Sequence, residues 1–173
     1  MACLILTGCQ GVNDVLSGVN SALGTVNSVL GSPSSSSSSS SSRVYIDSQT
    51  QQSVVNAANK ATANNDAKKL FNDARPTIEK MIADAACNAN SRQMEKYADP
   101  DKGFGYVSPF IFFNHHKSGC AHVLRINNIK KKTANAFSFN VYYMSPQSEE
   151  TRKEGYTAIK QPSGEWLFGW AEY

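Results

Sequence analysis

Residues 134–145, Ala-Asn-Ala-Phe-Ser-Phe-Asn-Val-Tyr-Tyr-Met-Ser, decide the fold. Phe137, Phe139, Val141 and Tyr143 alternate with Ser138, Asn140 and Tyr142, so one face of an extended segment is apolar and the other polar. That period of two describes a strand with one face covered and one open to water, the usual condition of an antiparallel sheet. Three neighbours repeat the theme: Cys120 to Lys131, Thr151 to Gln161, and Glu165 to Glu172, where Trp166, Phe168 and Trp170 share a face. Turn chemistry separates them, as in Ser145-Pro-Gln-Ser148 and Gln161-Pro-Ser-Gly164.

Upstream the period changes to that of a helix. Asp66 to Asn90 places Leu70, Phe71, Ala74, Ile78, Met81, Ile82 and Ala85 at steps of three and four. Pro76 is expected to kink or restart this segment, because a proline fits a first turn and not an interior. Gln49 to Asn64 is a second, weaker helix with Val54, Val55 and Ala58 as its apolar face, and a short one runs from Ser91 through Met94 toward Tyr97. Asp99-Pro-Asp-Lys-Gly103 is a turn, and Phe104 to Phe113, broken by Pro109, reads as an edge or a loop. Helices first and a meander afterwards make an α+β domain over residues 43–173, with the helices on one face of about four antiparallel strands.

The chain before Arg43 is of another kind. It holds no Lys or Arg and one acid, Asp14, so residues 43–173 carry all 17 basic groups and 13 of the 14 acidic ones, a net charge of +4. That excess is mild. Its one cluster, Lys130-Lys131-Lys132, falls near a turn, so nucleic acid is not the expected partner. Within residues 11–31 one seven-residue phrase occurs three times, placing Val12, Leu16, Val19, Leu23, Val26 and Leu30 on a heptad seam. The remaining positions are Asn, Ser, Gly and Asp, poor helix formers, so such a helix would need its apolar stripe buried on lipid, on copies of itself or on a partner. Pro33 and the tract Ser34 to Ser42 follow as a flexible tether.

Leu6-Thr7-Gly8-Cys9 resembles the lipobox of bacterial lipoproteins, in which a signal peptide is cut before a cysteine that is then acylated. Eight residues precede Cys9, with no Lys or Arg among them, and are read as a truncated signal peptide. The resemblance implies that residues 9–42 are a lipid anchor, heptad stalk and linker, and that the membrane is a partner through acylated Cys9. Gln10 stands where an Asp would retain a lipoprotein in the inner membrane, which implies the outer membrane. Loss of residues 1–8 would leave Cys87 and Cys120 as the domain's pair. They are either two buried thiols or, as export favours, a disulfide.

The order of elements, ending in Gly164-Glu-Trp-Leu-Phe-Gly-Trp170, resembles the NTF2-like or cystatin-like superfamily. A single cystatin-type helix on a sheet is the nearest rival. Some NTF2-like proteins use an acid or histidine inside a cone between helices and sheet, and Asp84 and His122 are the residues that could serve here. Asp84 falls off the apolar stripe and otherwise reads as a solvated helix charge; a lone strand histidine is commonly structural. His115-His116 falls in a loop without further ligands at metal spacing, and no cofactor motif is present. The first expectation is therefore a tethered, non-catalytic binding module that uses Phe104, Tyr106, Phe110 and Phe112 on an envelope protein, with core burial as the alternative fate of Phe110 and Phe112. The second is an NTF2-like small-molecule enzyme or carrier. The third is a structural component of an envelope secretion or surface assembly.

Overall fold

The computed structural model describes residues 43–102 and 108–171. The lipobox, the heptad seam, Phe104 and Tyr106 lie outside the described residues. Residues 41–173 form one compact unit. Helix α1 spans Ser48–Asn59, α2 Asn65–Ala86 and the one-turn α3 Ser91–Met94, continued by a 3₁₀ turn over Glu95–Tyr97. A second 3₁₀ turn, Pro109–Phe112, precedes β1 (His122–Lys131), β2 (Ala136–Met144), β3 (Thr151–Lys160) and β4 (Trp166–Trp170). The strands pair antiparallel in the order β1-β2-β3-β4 and leave the sheet curved and unclosed, with helices packed on it. This is the α+β arrangement expected from the sequence.

Each boundary has a local cause. The Asp47 carboxylate accepts the Thr50 N–H at 2.7 Å and starts α1. That helix stops at Asn59 rather than at Asn64, because the Asn64 side chain accepts the Ala67 N–H and caps α2 instead. Pro76 does not restart α2, which runs unbroken for 22 residues. The proline faces solvent, as does Asn72, whose carbonyl it leaves without an amide partner, while Ala74, Ile78, Met81 and Ile82 on the other side are fully buried. Burial of several such side chains, each at about 1.5–3 kcal/mol, outweighs the roughly 3 kcal/mol that an interior proline costs. Asn88, in the left-handed region at φ 60°, turns the chain out of α2.

The register sorts the sheet into two faces. On the inner one, Phe137 lies opposite Ala158, Phe139 opposite Tyr156, Val141 opposite Glu154 and Tyr143 opposite Arg152. Phe137, Phe139, Val141 and Tyr143 are completely buried, as their alternation predicts. Their rings form one connected group: Phe71 of α2 packs edge-on against Phe137 at 6.1 Å, Phe137 against Trp166 at 5.5 Å, and Phe139 against Phe168 at 6.4 Å. Edge-to-face pairs of this kind add about 0.5–1.5 kcal/mol each beyond burial. A disulfide joins Cys87, which ends α2, to Cys120, two residues before β1. Beside it the Ala121 N–H donates to the Ala86 carbonyl at 2.8 Å, and the Val123 N–H to Ser53 Oγ at 3.0 Å. Both long helices are thereby pinned to the first strand.

Candidate functional site

Asp84 is a buried acid, not a solvated one, and this corrects the reading from helical periodicity. The Glu95–Tyr97 turn folds back over the last turn of α2, so a position off the apolar stripe is covered all the same. Tyr97 donates its hydroxyl to Asp84 Oδ2 at 2.8 Å and Lys96 Nζ lies 2.8 Å from the same oxygen. Burial, and then the hydrogen bond to Asp84, push the Tyr97 phenol well above its ordinary range. An acid held by an ammonium and a phenol is committed to holding the turn. His122 is half-buried at the head of β1, opposite Met144, whereas Asp84 lies in the last turn of α2. The two candidates occupy different elements.

A carboxyl that the sequence reading passed over lies inside. Glu154 of β3 sits on the inner face opposite Val141, two residues from Tyr156 and two from Arg152, and is only 8% exposed. Burial pushes its carboxyl up to about 7, against the opposing pull of the Arg152 and Lys153 charges. Next to it on the same face the Tyr143 and Tyr156 hydroxyls lie 3.1 Å apart and fully buried. Thr151-Arg-Lys-Glu-Gly155 looks like a charged, solvated run, yet Glu154 has the parity of Tyr156 and Ala158. That shared parity was the available signal.

The third feature is the connection from Ser108 to Gly119. Ser108 is buried and gives its hydroxyl proton to Asn88 Oδ1 at 2.8 Å while capping the Pro109–Phe112 turn. The Arg152 guanidinium donates twice to the Phe112 carbonyl, from Nε at 2.7 Å and from Nη2. Glu150 accepts the backbone N–H groups of Asn114 at 2.9 Å and His115 at 3.2 Å. Burial raises its carboxyl, but hydrogen bonds from Ser148, His115 and Asn114 together leave it below the ordinary value. Gln147 accepts the Lys117 N–H at 2.7 Å and donates to the Ser118 carbonyl at 2.8 Å. His116 of this loop is half-buried, stacks on Phe110 at 4.1 Å and shares a hydrogen bond of 2.9 Å with Ser145 Oγ.

Two apolar side chains of this tethered loop face water. Ile111 is 66% exposed and Phe112 42% exposed, whereas Phe110 turns in against the core. Of the two described aromatic residues among those expected to form a surface, Phe112 is exposed and Phe110 is partly buried against the core. Ile111, a lone aliphatic among aromatics, was missed, because a 3₁₀ turn of three residues per repeat sends consecutive residues to different sides. Among the described residues no group of three His, Cys, Asp or Glu side chains could hold a metal ion, and no helix is long and apolar enough to cross a membrane. No protein-family model, curated protein or solved structure matches the chain.

Proposed function

We propose that this chain is a membrane-tethered envelope lipoprotein whose domain is a non-catalytic binding module, and that it grips a protein partner through Ile111 and Phe112. The observation that carries the reading is the loop of residues 108–119, in which two apolar side chains face water while the backbone beneath them is fixed by Arg152, Glu150 and Gln147. Exposed apolar groups on a fixed backbone bind without a large ordering cost, the condition under which a few residues supply most of an interface's energy. The tether side of the reading rests on Leu6-Thr7-Gly8-Cys9 and the serine tract, and the disulfide suits an oxidising compartment. The test is capture of envelope proteins by the native chain and by an Ile111→Ser/Phe112→Ser variant. A discrete partner lost in the variant, with thermal stability unchanged, is the expected result; a partner retained at full strength overturns the role of the loop. Intact mass of the chain from membranes tests the anchor: acylated Cys9 is expected, and an unmodified Met1 contradicts it.

Glu154 favours a second reading, that of a small-molecule enzyme or carrier. A carboxyl titrating near 7 can both take and give a proton at neutral pH. A small organic ligand whose affinity changes through pH 7 in the native chain, and not in Glu154→Gln, would establish it. Ligand binding indifferent to that substitution would remove it.

A further inference from the structure

The outer face of the sheet carries Arg125, Lys130 and Lys153 and, in its paired rows, no acid. Successive rows across the strands read Arg125–Tyr142–Lys153, Asn127–Asn140–Gly155, Lys130–Ser138–Thr157–Gly169 and Ala136–Ile159–Leu167. None of these residues is acidic, and Arg125, Lys130 and Lys153 are exposed. At the end of the face where β1 turns into β2, an open groove of about 290 Å³ has Lys102, Lys132 and Thr133 at its rim and Ala136, Ile159 and Trp170 among its walls. Among the described residues no carboxylate lines it.

Lys102 is placed there by construction. Buried Asp99 accepts the N–H groups of Asp101 and Lys102, both at 3.0 Å, and the Gln161 amide at 2.7 Å, which fixes the turn. That turn then closes on β4 at Gly169, where an added Cβ would come within 2.9 Å of Lys102 Cβ. Only a glycine lets the lysine stem lie across the strand at this point. Lys102, Lys130 and Lys132 form no ion pair with a described carboxylate. Three cations without a described carboxylate beside them are complementary to an external anion.

We propose that this face docks the domain on an anionic phospholipid surface, with a headgroup phosphate seated between Lys102 and Lys132. Each such cation contributes about 1 kcal/mol near an anionic leaflet, so the face orients a protein already held at the membrane more than it recruits one. Nucleic acid suits it less, because the one ring in the paired rows of this face, Tyr142, is covered by Arg125, whose guanidinium carbon lies 4.0 Å from the ring centre. Docking in this way goes beyond the role of the 108–119 loop and needs no acyl chain.

The experiment uses the full chain carrying Cys9→Ser, so that a lipid anchor contributes nothing, sedimented with vesicles of phosphatidylcholine alone or with phosphatidylglycerol added. Binding only to the anionic vesicles, weakened by salt, is expected. Lys102→Gln/Lys132→Gln should lower the partition coefficient about 30-fold. Lys68→Gln/Lys80→Gln, on the exposed side of α2, should change it less than two-fold. Equal binding to both vesicles, no binding, or equal losses in the two double variants overturns the proposal. So does tighter binding to a single-stranded oligonucleotide, or saturation of the lysines by glycerol phosphate without vesicle binding. The mass of the native N-terminus is a separate observable, so acylation can fail while this face succeeds, and the reverse.

Discussion

The two faces of one sheet have opposite chemistry, and the contrast separates what holds this domain together from what it offers to others. Inside, Phe137, Phe139, Val141 and Tyr143 are sealed under α1 and α2; outside, Ser138, Asn140 and Thr157 alternate with them and carry lysines and an arginine on either side. Stability should therefore respond most to inner positions and little to those outer ones that water reaches.

The sharpest expected effect is on Phe139, fully buried among Phe137, Tyr156 and Phe168. Phe139→Ala should cost about 3–5 kcal/mol in urea unfolding, and a loss under 1 kcal/mol would break the division between faces. Next is the bridge that ties the helical layer to the sheet. Replacing Cys87 and Cys120 by Ser reopens a loop of 33 residues and should cost about 3–4 kcal/mol under oxidising conditions.

Glu154 is the exception on the inner face, and it makes stability depend on pH. Its folded-state value of about 7 lies above the 4.5 of an unfolded glutamate, so the native state holds the proton more tightly. Stability from this group is complete below about pH 4.5 and is lost as pH rises through 7. Glu154→Gln should accordingly gain about 2–3 kcal/mol over the native chain at pH 8 and lose that advantage toward pH 5. An advantage that does not vary between those pH values would contradict the burial of the carboxyl. At the small end, Thr157→Ala on the outer face should shift stability by less than about 0.5 kcal/mol.

How far these faces could be read in advance depended on whether neighbours in sequence decide burial. Along β2 they do, since alternation of Phe137, Phe139, Val141 and Tyr143 needs only a cover on one side to become a core. The end of α2 is different: Met81 to Ala86 are all buried because the sheet lies on one side and the Glu95–Tyr97 turn on another, so Asp84 could not be judged from its own helix. Glu154 was obscured by charged neighbours, although its parity with Tyr156 and Ala158 carried the answer. Pro76 misled because its cost is local while the burial that overrides it comes from Phe71, Ile78 and Met81 on both sides. The bond from Arg152 to the Phe112 carbonyl joins residues 40 apart in sequence, and no local pattern announces it.

The most direct test of the binding account is photo-crosslinking in cells from position 111 of the full chain, compared with the same probe at position 68 on the solvent side of α2. The account expects one discrete protein adduct from position 111 that disappears with Phe112→Ser, and none from position 68. Equal adducts from both positions, or none from position 111 in any growth condition, would contradict it.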